Sequence, residues 1–163
     1  IKFNNTFGEV FTIPEPSIRD NVAVVPGVDG QKMSKSYDNT IEIFAEGKPL
    51  KKRVMSIVTD SKELDDPKDP DTCNVFALYK LFASESEQAE LTERYRAGGM
   101  GYGHAKTELL DKINEHFGPM RERRAELAAD MDYVEDLLRR GAEKARMLAR
   151  ETLDKARQAC GLA

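Results

Sequence analysis

Only two cysteines, Cys73 and Cys160, occur in 163 residues; they lie far apart and form no CxxC pair. Neither a zinc ribbon nor a disulfide framework is therefore indicated, and both thiols read as small buried hydrophobic residues. Histidine is as scarce: His104 and His116 are too isolated to build a metal site, and capping or surface roles are expected of them. No apolar run approaches the roughly 18 residues of a membrane span, and no basic-then-apolar leader opens the chain, so a cytoplasmic protein that meets no membrane is expected. A basic excess is missing too. The net charge is −4 and the isoelectric point near 5.4, so nucleic acid is not attracted by the protein's overall charge and any such contact has to be local. The chain opens at Ile1 without a methionine and is read as a piece of a longer or processed protein.

Composition, with 33% charged and 40% hydrophobic residues, is that of a globular domain able to bury its own core. The acids cluster in one stretch: Asp60, Glu63, Asp65, Asp66, Asp69 and Asp71 face only Lys62 and Lys68. It lacks the glycine and terminal glutamate of an EF-hand and is expected to be a mobile charged linker. The first forty residues are rich in Asn, Pro, Gly and β-branched residues, with strands expected at Phe7 to Ile13 and Val22 to Val25. The apolar run before Pro26-Gly27 suits a strand covered on both faces, although no βα partners follow it.

Beyond residue 38 the pattern is helical. Asn39 is expected to cap a helix that Gly47 stops, and Pro49 to open the next, with Leu50, Val54, Ile57 and Val58 inward. Asn74 to Ala83 is apolar around its whole circumference and is expected at the centre of the core. Glu85 to Arg96 should end at Gly98-Gly99. Ala105 to Phe117 should bend or stop at Gly118-Pro119 before Met120 to Asp130. A last helix from Tyr133 to Cys160 is expected to break near Gly141. The fold class is thus mainly α, a helical bundle with short connections.

The chemistry sits in Gly27-Val-Asp-Gly-Gln-Lys-Met-Ser-Lys-Ser36 and the Tyr37-Asp38-Asn39 that follows. Gly27 and Gly30 permit a tight turn. Lys32 and Lys35 as ammonium charges, with Ser34 and Ser36 as hydroxyl donors, suit a clamp on a triphosphate. Such a clamp requires no general base, because phosphoryl chemistry runs largely on positioning and electrostatics. By composition alone, the same residues would make an ordinary solvated turn.

The string Lys32-Met33-Ser34-Lys35-Ser36 resembles the KMSKS signature of class I aminoacyl-tRNA synthetases letter for letter, and its flanks resemble those of the tryptophanyl and tyrosyl members. Val58-Thr59-Asp60-Ser61, Tyr95-Arg96 through Lys106, and Gly141 to Arg146 resemble segments of the tryptophanyl enzymes in the same order. The resemblance implies that Lys35 first and Lys32 second stabilise the pyrophosphate leaving group of ATP. It implies further that Ser34 and Ser36 orient the phosphates, and that Met33 packs the loop against the body or the adenine. It implies ATP with Mg2+, tryptophan and tRNA as partners and a homodimer for the intact enzyme. Residues 1–38 would be the end of a Rossmann-like α/β catalytic domain, and 39–163 a helical anticodon-binding domain. The family's HIGH motif is absent from this sequence, and its tryptophan pocket is expected upstream, so the chain alone is expected not to activate tryptophan. A tyrosyl enzyme and a non-catalytic tRNA-binding module are the alternatives.

Two basic groups are candidates for tRNA phosphates. Arg146, Arg150 and Arg157 fall within about 40° of one another on a helix of about 100° per residue. Arg121, Arg123 and Arg124 follow the expected bend. Either group could instead be a solvated face, with Arg150 pairing to Asp154 and Glu151 to Lys155. Ala142, Ala145, Ala149, Thr152, Ala156 and Ala159 form a small-residue stripe fit for a neighbouring helix. Tyr102, between glycines, could stack on a base but reads better as a plug between helices.

Overall fold

The computed structural model describes residues 1–18 and 24–162, which carry six α-helices and no strand. They are α1 (Lys2–Phe7), α2 (Gly47–Met55), α3 (Asn74–Tyr79), α4 (Glu85–Ala97), α5 (Tyr102–Ala128) and α6 (Met131–Ala159). The mainly α fold read from the sequence is what forms. By backbone proximity the chain divides into two units, Ile18–Arg123 and Ile1–Ser17 with Arg124–Ala163.

In the Ile18–Arg123 unit, α2, α3, α4 and the first part of α5 enclose one core. Leu50, Val54, Val75, Leu91, Tyr95, Ala105 and Leu109 are each 0 or 1% exposed. α3 sits at the centre of this core, with Val75, Phe76, Leu78 and Tyr79 all buried, so hardly any of its surface is left for water. Full burial stabilises each such side chain by about 1.5–3 kcal/mol. Tyr95 is wholly buried because its hydroxyl finds the Cys73 thiol 3.6 Å away; that same burial pushes its phenol well above the ordinary tyrosine range. Cys73 is accordingly buried, whereas Cys160 is only half-buried.

Ion pairs tie α4 to α5: Arg94 grips Glu108 through both oxygens at 2.6 and 3.1 Å, and Lys112 meets Glu87 at 2.6 Å. Ser84 caps α4 in a reciprocal capping box with Glu87. Lys106 reaches from α5 to the Met55 carbonyl at the end of α2, and desolvation there lowers its pKa.

Several local expectations fail for identifiable reasons. Residues 39–46 form no helix, because Asn39 spends its side chain elsewhere, as described below. Helix α2 instead begins at Gly47, with Pro49 in its first turn, where the missing N–H is not needed. α5 runs through Pro119 without a stop. Its two sides are clasped by Arg121, whose guanidinium donates to Asn114 Oδ1 at 2.8 Å. α6 likewise continues through Gly141, since a single glycine costs a helix only about 1 kcal/mol.

The acidic stretch is no loose linker. Lys68 is 2% exposed, and its ammonium donates to the carbonyls of Glu63, Leu64 and Asp66 at 2.8, 3.3 and 3.0 Å. The Lys68 amide bonds the Tyr95 carbonyl at 2.7 Å, and Asp60 accepts from the Tyr102 hydroxyl at 2.7 Å. Tyr102 also lies edge-on to the Tyr95 ring, with the Lys68 ammonium 5.3 Å from its own ring centre. It plugs the junction, as the sequence suggests.

In the other unit, the strand expected over Phe7 to Ile13 does not form. Phe7 closes α1, and the Asn4 side chain satisfies the backbone beyond it, accepting from Val10 and Phe11 N–H and donating to the Phe11 carbonyl. Phe3 packs against Phe7 and Phe11, each pair of rings 4.9 Å apart. Of the second expected strand, Val22 and Ala23 lie outside the described residues, and Val24 and Val25 belong to no strand. Asp130 caps α6 by accepting from the Tyr133 N–H at 3.0 Å. Of the small-residue stripe on α6 only Ala156 is buried. None of the helices described is long and apolar enough to cross a membrane.

Candidate phosphate-binding loop

Residues 25–39 form a doubled-back loop whose backbone bonds to itself. Met33 N–H donates to the Val25 carbonyl at 2.8 Å, Gly27 N–H to Gln31 at 2.7 Å and Gly30 N–H to Gly27 at 3.0 Å. The tip turns at Gly30 with φ +82°, where a Cβ would lie 2.6 Å from the Asn74 side chain. Glycine is required there on both counts. Asp29 steadies the turn by accepting from the Gln31 N–H at 3.0 Å.

A single 3-10 turn, Lys35–Tyr37, closes the loop. Ser34 caps it, its hydroxyl accepting from the Ser36 N–H at 3.2 Å. Asp38 follows in the left-handed region at φ 48°, which reverses the chain. Lys32 and Lys35 are exposed, Ser34 is half-buried, and Met33 packs against the core. The five residues named from the sequence thus present two ammonium groups and two hydroxyls on one short loop seated by a methionine. Such an array suits a polyanion. The magnesium implied by the resemblance has no matching ligand set: no His, Cys, Asp or Glu cluster among the described residues could hold a metal ion.

Two attachments fix the loop to the helical body and one residue braces it from inside, none of them evident in the sequence. Val28 accepts from the Val58 N–H at 2.7 Å, and Asn74 donates to the Val58 carbonyl at 3.0 Å. Arg53 of α2 donates to the Thr40 carbonyl at 2.8 Å and to the Asp38 carbonyl, with the Asp38 carboxylate 3.4 Å away. Asn39, 1% exposed, lies inside the loop. Its Oδ1 accepts from the Ser34 N–H at 2.7 Å, and its Nδ2 donates to Asp29 Oδ1 and the Lys32 carbonyl at 2.8 and 3.2 Å.

Residues 1–118 match the family of class I tRNA synthetases for W and Y. The chain belongs to this family. It is 55% identical to the tryptophan–tRNA ligase of Fusobacterium nucleatum over 99% of its own length, and 48% identical to that of Rhodopirellula baltica over 98%. It spans about half the length of these relatives, 50% of each. Its fold is similar to the crystal structure of Campylobacter jejuni tryptophanyl-tRNA synthetase complexed with ADP and tryptophan, with a TM-score of 0.82 and 50% identity. That likeness covers 99% of this chain and 50% of the other.

The basic candidates fall in both units. Arg121 is 8% exposed and turned inward, its Nε donating to the Ile43 carbonyl at 2.8 Å, so it is withdrawn from any surface contact with phosphate. Arg123 is exposed in the same unit; Arg124, Arg146, Arg150 and Arg157 are exposed in the other. Lys155 pairs with Glu151 at 2.6 Å, as the helical spacing suggests. His116 packs against the Phe82 and Phe117 rings.

Proposed function

We propose that this chain supplies the loop-bearing half of a tryptophan–tRNA ligase. Lys35 and Lys32 clamp the triphosphate of ATP while the carboxylate of tryptophan attacks the α-phosphate, giving tryptophanyl-adenylate and pyrophosphate. The two ammonium groups meet negative charge as it accumulates on the departing pyrophosphate, where stabilisation accelerates the step. Ser34 and Ser36 orient the phosphates, and Met33 seats the loop. Magnesium would travel with ATP on its phosphates. The amino acid then passes to tRNA, for whose phosphates the exposed Arg123, Arg124, Arg146, Arg150 and Arg157 are the candidates. A homodimer is the expected state of the intact enzyme.

The observation that carries the reading is the pairing of an intact Lys32-Met33-Ser34-Lys35-Ser36 string with similarity to tryptophan–tRNA ligases along almost the entire chain. The test is ATP–pyrophosphate exchange by the full-length protein with tryptophan or tyrosine. Tryptophan-dependent exchange is expected, reduced about 10²–10³-fold by Lys35→Ala, the scale of losing one charge-stabilising group. Exchange that follows tyrosine, or that ignores Lys35, overturns the reading.

A further inference from the structure

We propose that Asn39 is a positioning residue for the phosphate-binding loop, its buried carboxamide fixing the backbone on which Lys32 and Lys35 are mounted. This rests on reading the loop as the ATP clamp. Asn39 is almost wholly buried although polar, and its side chain reaches three loop residues at once: Asp29, Lys32 and Ser34. The bonds leave only one amide orientation, since the nitrogen faces two oxygens and the oxygen faces an N–H.

The grip falls where it matters. Asn39 holds the carbonyl of Lys32 and the amide of Ser34, and Ser34 in turn caps the turn that starts at Lys35. The peptide planes on either side of Met33 are therefore set by a side chain that lies inside the loop. Gly27 makes room for it: a Cβ there would lie 2.4 Å from the Asn39 carboxamide carbon. The main chain of Asn39 adds a fourth tie, accepting from the Val28 N–H at 2.9 Å. A loop held this way presents its ammonium groups already arranged, and that ordering is not left to be bought from ATP binding. An aspartate at the position would have the right shape but would set a carboxylate against Asp29 and the Lys32 carbonyl, so Asn39→Asp should not rescue.

The test uses the full-length protein in tryptophan-dependent exchange. Asn39→Ala and Asn39→Asp are expected to lower kcat about 10–100-fold, in keeping with the cost of a slightly misplaced charge, and to leave the KM for tryptophan within about twofold. In a Lys35→Ala background the same Asn39→Ala change should lower kcat by a smaller factor than in the parent, because one of the two groups it positions is gone. A purely structural role would lower the thermal midpoint without this coupling. Asp29→Ala, at an exposed position, should show a smaller loss of the same kind and decides the matter if Asn39→Ala does not fold. Unchanged kcat in these variants, or losses that simply multiply with that of Lys35→Ala, overturns the proposal while leaving the clamp standing. An unchanged rate for Lys35→Ala alone sinks both.

Discussion

Arg121 and Asn114 clasp helix α5 across Pro119, guanidinium to carboxamide at 2.8 Å. The pair spans seven residues, two turns of helix, and brackets the one position where the backbone ladder must lose a bond. Arg121 also reaches the Ile43 carbonyl, so the same side chain anchors the segment before α2. Asn114→Ala leaves a buried guanidinium short of an acceptor and should destabilise the protein by about 1–3 kcal/mol in urea unfolding. Pro119→Ala restores a backbone donor and should make the Asn114 change milder; equal losses in the two backgrounds would separate the clasp from the proline.

Lys68 is the pin of the acidic stretch, its ammonium enclosed by carbonyls of Glu63, Leu64 and Asp66. Lys68→Met keeps the stem but abandons those acceptors, and a loss of about 2 kcal/mol is expected. Limited proteolysis should then cut between residues 60 and 71 faster than in the wild type. Cleavage at an unchanged rate would mean that Tyr102 and the Lys68 backbone suffice to hold the stretch.

Glu87 gives the stability a definite acid limb. The Lys112 ammonium first, then the Ser84 amide and hydroxyl, bring its carboxyl down to about 2 from 4.5. A carboxyl lowered on folding adds stability that is present above its unfolded value and lost as pH falls through the folded one. The loss belongs to the window from pH 4.5 down to about 2. Asp60, lowered chiefly by the Tyr102 hydroxyl, acts in the same sense below its ordinary 3.8. Thermal melts of Lys112→Met and Tyr102→Phe should each show a shallower decline across this acid range than the wild type.

Gly27 tests the loop from the steric side. Its Cβ would strike the Asn39 carboxamide at 2.4 Å and the Asn39 carbonyl at 2.7 Å. Gly27→Ala in the full-length protein is therefore expected to reduce exchange at least tenfold, of the order of a misplaced reacting group. Because the clash is confined to the loop, the far-ultraviolet circular dichroism of the helices should be unchanged.

Ser84→Ala removes the hydroxyl that accepts from the Glu87 N–H and donates to the Glu87 carboxylate, while the Ser84 backbone N–H that the carboxylate also accepts is kept. A loss of about 1 kcal/mol is expected from denaturant titration, and Ser84→Asp, which can still accept from the Glu87 N–H but sets a second carboxylate beside that of Glu87, should recover only part of it.

Local pattern marked α3, α4 and the first part of α5: α3 is apolar around its circumference, Gly98-Gly99 bounds α4, and the inward residues Leu109, Leu110, Ile113 and Phe117 recur at helical spacing, whereas the break expected at Gly118-Pro119 does not form. The string from Lys32 to Ser36 was legible for a different reason: its chemistry is local, with both ammonium groups and both hydroxyls within five residues. The errors fell where a residue's local preference was overruled by a distant partner. Asn39 looks like a helix cap until Asp29, Lys32 and Ser34 take its carboxamide; Lys68 looks like a solvated charge until carbonyls enclose it; Arg121 looks like a surface cation until Asn114 and Ile43 draw it inward. The sequence by itself determined the mainly helical fold, the central helix and the string of two ammonium groups and two hydroxyls from Lys32 to Ser36, because these follow from spacing along the chain. Tertiary structure alone decided which polar side chains became internal struts, because burial makes an unpaired donor or acceptor costly and its partner can come from any part of the chain.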